Sequence, residues 1–401
     1  MNIILFDGTF REKLLPLTFT RPVAHIRVGA LTIIEKWQMF FNNGCTVFSQ
    51  KYLLPKYPLS IQAGLENIWI QASVCPNGLL YEAIKNLKPK QEIYDSSGIL
   101  IAINSGMEVL SPEQLIEGVD RGYSKFIFDG NYTHIKSCPD IFLMNDIEIR
   151  SDVGLLTLGR HTQPLPKGNQ YIQPENIFIE SGVNINGAIL NASTGPIYIG
   201  KDAEIMEGAL IRGPFVLGEH ATLKMGAKVY GATTIGPHSK VGGELSNSVI
   251  LGFSNKAHDG FLGNSIIGEW CNLGADTNNS NLKNNYAEVK LWDYSSKRFI
   301  NTGLVFCGLV MGDHSKSAIN TMFNTGTVVG IFANIFGAGF PRNFIPDFTW
   351  GGPQGITVYK LADAFEVAQK VMGRRGLTLT EEDKSILSDV FSQTVGLRNN
   401  I

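Results

Sequence analysis

The 401-residue sequence predicts an α/β N-terminal domain, a triangular parallel β-helix and a short helical C-terminal cap. Three observations carry this. Apolar residues fall on an unbroken six-residue beat: Ile199, Ile205, Ile211, Leu217, Leu223, Val229, Ile235 and Val241. The residues four places after most beats are small: Ala203, Ala209, Ala221, Ala227, Thr233 and Ser239. Before the beat begins, strand-like and helix-like runs alternate, as in an α/β layer.

A helix would drift off a six-residue beat, and simple strand alternation would not single out every third inward position. Gly200, Gly218 and Gly236 each follow a beat residue at intervals of three hexads, so three hexads make one coil. These glycines stack on one corner, where unusual φ/ψ is expected. Gly208 and Gly226 repeat the spacing. Coils then stack at about 4.8 Å, the ordinary strand separation. The pattern starts at Ile179 and Ile185 and resumes at Ile267 and Leu273. It returns at Met311, Ser317, Phe323, Val329 and Ile335. Two interruptions, 247–265 and 276–303, read as loops leaving the solenoid. The second is asparagine-rich, and an arm over a neighbouring subunit is expected there.

In the N-terminal 150 residues, strands are expected at 2–6, 45–49, 67–71, 99–103 and 125–129, with helices near 30–42, 79–87 and 111–119. Residues 139–153 read as a connector, 151–345 as the β-helix and 346–401 as a tail with helices at 360–372 and 380–396. The acidic start of LTEEDKSILSDVF suits a helix N-terminus. A net charge of −2 gives no basic excess for nucleic acid and no polybasic membrane patch. Five scattered cysteines without a CxxC pair suit a reducing compartment. The opening MNIILFDGTF reads as a strand and not a signal peptide, and a cytoplasmic location is expected.

The stretch NKAHDGFLGNSIIGEWCNLGADTNNSNLKNNY, 255–286, resembles the acetyltransferase signature of the bifunctional N-acetylglucosamine-1-phosphate uridylyltransferase/glucosamine-1-phosphate acetyltransferase family, in its archaeal and Bacteroidetes-type form. The resemblance implies a left-handed β-helix, a homotrimer, and acetyl-CoA as cosubstrate. It implies His258 as the base that deprotonates an amino sugar phosphate. Lys256, Phe261, Asn272, Asn281 and Lys283 are the implied substrate-binding positions. Phe261 stands where the family has tyrosine, Ser246 where it has a lysine, and the family arginine after Gly-Pro-Phe is absent near Leu217. Histidine suits the task because its charge changes near neutral pH.

The opening ILFDGTFREKLLPLTFTRPVAHIRVG is similar to the start of sugar-phosphate nucleotidyltransferases. Pro16-Leu17-Thr18, Thr20-Arg21-Pro22 and Gly29 match. The resemblance implies a nucleoside triphosphate site with Mg²⁺ around Gly8, Thr9, Arg11 and Arg21. The glycine-rich loop is reduced to Gly8, and Val23 replaces the family lysine, with Arg27 a stand-in. Asp129 is a candidate metal ligand or a strand-end turn. Two other readings compete: a trimeric scaffold whose sites are both degenerate, and a zinc protein of the gamma-carbonic-anhydrase type using His220 and His238, which are eighteen residues apart, with His258 following. No nucleic-acid or membrane partner is expected.

Overall fold

The computed structural model describes residues 1–116 and 118–398. The chain forms two compact units. One comprises Met1–Leu14, Thr20–Ile26 and Leu31–Ser137; the other comprises Leu15–Phe19, Arg27–Ala30 and everything from Cys138.

The first unit holds a six-stranded sheet in the spatial order Cys45–Phe48, Asn2–Phe6, Asn67–Gln71, Leu100–Asn104, Gln91–Asp95, Ser124–Phe128. Asn2–Phe6 pairs in parallel with both neighbours, and its five residues are all buried, as a two-sided sheet requires. Thr32 and Glu35 close a reciprocal capping box at the start of helix Ile33–Phe41, and Asn77 caps helix Gly78–Lys85. The helix expected over 111–119 is reduced to a single tight turn, Glu113–Leu115; position 117 lies outside the described residues. Strand Gln91–Asp95 was not expected. Its central Glu92 is fully buried and ion-paired to Arg121 at 2.7 Å, so a charged residue occupies what would otherwise read as a core position.

The second unit is a left-handed parallel β-helix with C-terminal helices. One face runs from Ile177–Ile179 through nine parallel strands to Phe344–Ile345; a second runs from Asn184–Ile185 to Thr349–Gly352. The third runs from Gln170–Ile172 to Phe261–Gly263 and continues in Asn278–Asn279 and Met322–Phe323. All eight beat residues line the interior at 0–3 % exposure, and the small residues between them are buried beside them. Burial of one such side chain stabilises by about 1.5–3 kcal/mol.

The register explains where the beat fails. Phe215 pairs with Thr233, eighteen positions on, but Thr234 pairs with Val249 and Val249 with Ile266. The coils just after Val241 are shorter because corners lose residues, while the ladders continue; the eighteen-residue step returns where Leu309 pairs with Thr327. Residues 247–265 are therefore solenoid and not a loop: they contain strands Val249–Gly252, Asn255–Lys256 and Phe261–Gly263. The true excursion is 280–308, since Ile266 pairs directly with Val310.

That excursion also differs from expectation. It carries an antiparallel hairpin, Lys290–Asp293 with Arg298–Asn301, which folds back on its own chain. Val289, Leu291 and Tyr294 are buried, and Trp292 stacks on Phe344 with centroids 4.1 Å apart. The apolar side of this strand thus packs on the first face of its own chain, while Tyr286, Phe299 and Phe306 of the excursion are exposed.

The expected connector is helical, Cys138–Leu143 and Asn145–Thr157. Asn145 docks it: Nδ2 donates to the Ala232 carbonyl at 2.7 Å, and Oδ1 accepts from Thr234 and from the Gly29 amide.

The first corner corrects the glycine argument. Gly200, Gly218 and Gly236 have ordinary φ; they are glycine because successive coils approach too closely. A Cβ on Gly218 would lie 2.7 Å from the Pro237 nitrogen. The left-handed backbone falls two residues later, on His220, His238, Phe253, Trp270, His314, Phe332 and Phe348. Their rings form one stacked column along the corner, with centroid separations from 4.4 to 6.2 Å. Helix Glu381–Gln393 closes it through Phe391, edge-on to Phe348.

Candidate functional site

His258 sits on the corner between the second and third faces, in the short turn between strands Asn255–Lys256 and Phe261–Gly263. Its side chain is exposed. Strand alternation governs its neighbours. Asn255 points out and donates through Nδ2 to Asn272 Oδ1 at 2.8 Å. Lys256 therefore points in, opposite Val241 of the preceding coil, and is 2 % exposed.

The inward lysine differs from the expected substrate contact. Lys256 Nζ donates to the carbonyls of Gly242, at 3.2 Å, and of His258, at 2.9 Å. Burial lowers its pKa to about 8, against the pull of Asp259 and Asp276. An ammonium held by backbone carbonyls inside the coil is not presented to a ligand.

Phe261 is half-buried, and its amide donates to Asn278 Oδ1 at 2.8 Å. Asn281 Nδ2 donates to Asn264 Oδ1 at 2.8 Å, at the root of the excursion, and Lys283 Nζ donates to the Glu288 carbonyl at 2.6 Å. Phe261 thus opens the third-face strand that follows the His258 turn, whereas Asn281 bonds Asn264 at the far end of that strand. Asn272 lies on the second face, paired with Asn255. Sequence reading passed over Asn255, Asn278 and Asn264, whose side chains tie one coil to the next. The run TNNSN was the available signal, because asparagines repeated along a parallel stack can bond their counterparts one coil away.

In the first unit, Gly8 follows strand Asn2–Phe6, and a Cβ there would lie 3.1 Å from the Gln71 side chain. Thr9 is exposed. Arg11 is buried: Nε lies 3.2 Å from Asp7 Oδ2, and a terminal nitrogen donates to the Tyr52 hydroxyl at 2.7 Å. Arg21 is 4 % exposed. Burial raises the pKa of Asp7, while Arg11 opposes the shift. Both arginines expected at a triphosphate are therefore held within the fold. Asp129 follows Ser124–Phe128, an edge strand separated from Asn2–Phe6 by three intervening strands, so it does not share a site with Gly8.

The zinc reading finds no support in the geometry. His220 and His238 are stacked members of the ring column, 4.9 Å apart, on a different corner from His258. Among the described residues no group of three His, Cys, Asp or Glu side chains is placed to hold a metal ion. No described helix is long and apolar enough to cross a membrane.

Residues 3–161 match the family model described as sugar nucleotidyl transferase. The chain is 35% identical over 160 residues to a bifunctional sugar-1-phosphate nucleotidylyltransferase/acetyltransferase from Sulfurisphaera tokodaii, covering 39% of this chain and 37% of that protein. It is 36% identical over 87 residues to the bifunctional protein GlmU of Methanocaldococcus jannaschii, covering 22% of this chain and 21% of that protein. The matches therefore span less than half the length of either relative. A crystal structure of an Arabidopsis UDP-N-acetylglucosamine acyltransferase aligns over 58% of this chain and 93% of that one, at 14% identity and a TM-score of 0.23. Residues 3–161 thus resemble sugar nucleotidyl transferases, and over part of its length the chain is similar to two bifunctional GlmU-like proteins.

Proposed function

We propose that the chain is a transferase acting on sugar 1-phosphates, and that acyl transfer is its better-supported half. In this reading acetyl-CoA acylates the amine of an amino sugar 1-phosphate. The amine nitrogen attacks the thioester carbonyl, forming the C–N bond, and the C–S bond breaks as the tetrahedral centre collapses. His258 takes the proton from nitrogen and returns it to the departing thiolate. Asn272, on the second face, and Asn281, at the far end of the third, are assigned to position the acceptor, and Phe261 offers a ring in place of a hydroxyl. Lys283 stands at the rim, on the excursion. The exposed His258 on a turn fastened from inside the coil is the observation that carries the reading.

Nucleotidyl transfer from a nucleoside triphosphate with Mg²⁺ is the second half of the proposal, and it rests on the matched segment 3–161. Of its expected residues, Gly8 and Thr9 remain at the strand end, while Arg11 is engaged by Asp7. A homotrimer in the cytoplasm, with sugar phosphate, nucleoside triphosphate and acetyl-CoA as its ligands, completes the proposal.

The deciding experiment measures free thiol and pyrophosphate release across a panel of sugar phosphates and amino sugar phosphates. Thiol release that falls at least about 100-fold in His258→Ala supports the assigned base. Unchanged release would overturn it. Pyrophosphate release without thiol release would assign the activity to the first unit alone.

A further inference from the structure

Lys256 is a buried cation that the proposed chemistry does not use. The ladder of the second face puts Val241 opposite it, and an alkyl chain would suffice for packing there. A lysine at such a position needs its ammonium satisfied, since an unpaired buried charge is strongly unfavourable. The protein satisfies it with two carbonyls from different coils: Gly242 below, and His258 on the same turn. The ammonium also fills the space beside Gly243, where a Cβ would lie 3.0 Å from Nζ. The charges bearing on it are the carboxylates of Asp259, on the turn, and Asp276, one coil above.

We propose that Lys256 is a positioning residue that fixes the His258 turn from inside the solenoid, so that the imidazole is held toward the acceptor amine. The bond to the His258 carbonyl ties the backbone that carries the base, and the bond to Gly242 ties that turn to the coil beneath. The Gly260 carbonyl also accepts from the Glu244 amide of the coil beneath at 3.2 Å, but Ala257 has no polar side chain and Asp259 is exposed, so Lys256 supplies the side-chain bond to the residue that carries the base. The role rests on the acyl-transfer reading, because a positioning residue requires a base to position.

The test compares wild-type chain, Lys256→Met and His258→Ala with acetyl-CoA and the amino sugar phosphate that the panel identifies. Methionine preserves the apolar stem and removes the donors. A displacement of about 1 Å costs about 100-fold in rate, so kcat in Lys256→Met is expected to fall about 10- to 100-fold. KM for the amino sugar stays within about twofold, since ground-state binding is untouched. Deuterium uptake by amides 257–260 rises while the flanking strands stay protected. Lys256→Gln, which keeps one donor, gives an intermediate kcat and replaces the methionine variant if that fails to fold. Full kcat in Lys256→Met, or an equal rise in KM with general loss of protection, overturns the positioning role and leaves the base assignment standing. A wild-type chain without thiol release, or His258→Ala at wild-type rate, overturns the acyl-transfer reading and the positioning role with it.

Discussion

Phe253 and Trp270 lie face to face on consecutive coils, ring centroids 4.4 Å apart and planes 17° from parallel. Each has left-handed backbone, with φ of 54° and 61°. Bulky residues avoid that region because Cβ crowds the following carbonyl, at a cost of about 1–2 kcal/mol each. The column offsets the cost by burying the rings against one another, and stacked aromatic pairs contribute about 0.5–1.5 kcal/mol beyond their buried area.

Trp270→Ala should lower unfolding free energy by about 3–5 kcal/mol, as for other buried aromatic truncations. Trp270→Phe, which keeps a ring between Phe253 and His314, should lose much less. Urea denaturation of both variants checks this. Equal losses would show that a phenyl ring at this position restores none of the stabilisation.

Gly218→Ala should be costly although its φ is ordinary, because the added methyl meets the Pro237 nitrogen at 2.7 Å. Overpacking of this kind costs about 1–3 kcal/mol. At Gly226 the reverse holds: space is open, but φ is 68°. Gly226→Asn, which tolerates left-handed backbone, should therefore be better borne than Gly226→Val. Thermal melts of the three variants distinguish close approach from backbone conformation.

Asp347 should make stability fall as pH rises. It is fully buried, and burial raises its pKa to about 6 from 3.8, against hydrogen bonds from the Ile331 amide and Tyr294. The folded state thus binds the proton more tightly than the unfolded chain does. This contribution is present below the unfolded pKa and is lost between roughly pH 4 and pH 6, amounting to about 3 kcal/mol. Asp347→Asn should flatten the stability profile across that window. A profile as steep as wild type would place the slope elsewhere.

Asp7→Asn should destabilise the first unit by about 3–5 kcal/mol, because it strips a buried guanidinium of its carboxylate. Both side chains are under 10 % exposed, at 3 % for Asp7 and 8 % for Arg11. The double variant Asp7→Asn/Arg11→Met should recover most of the loss. Thiol release should be unchanged in either, since the proposed acyl chemistry belongs to the other unit.

The solenoid was legible in the sequence because each inward residue from Ile199 to Val241 meets the same environment one coil later. Legibility ended where corners shortened, since a beat of six registers residues along the chain whereas the ladder registers them across coils. Lys256 shows the same limit at the site. Its parity with Val241 marks it as inward, but that parity appears only once the shortened coil is known. His258, Phe261 and Asn281 were singled out only through resemblance to a family motif, and no periodicity marks them. Glu92 was hidden for another reason: a buried carboxylate is intelligible only beside its cation, and Arg121 lies far along the chain.

The direct pairing of Ile266 with Val310 means that the stack counts layers and not residues. Turns of fifteen, eighteen or forty-four residues fit the same pile of rungs. Insertions can therefore lengthen a rim without moving the rungs beneath it. A lineage built on this plan could reshape what sits around the His258 rim by indels alone, keeping its internal scaffold unaltered.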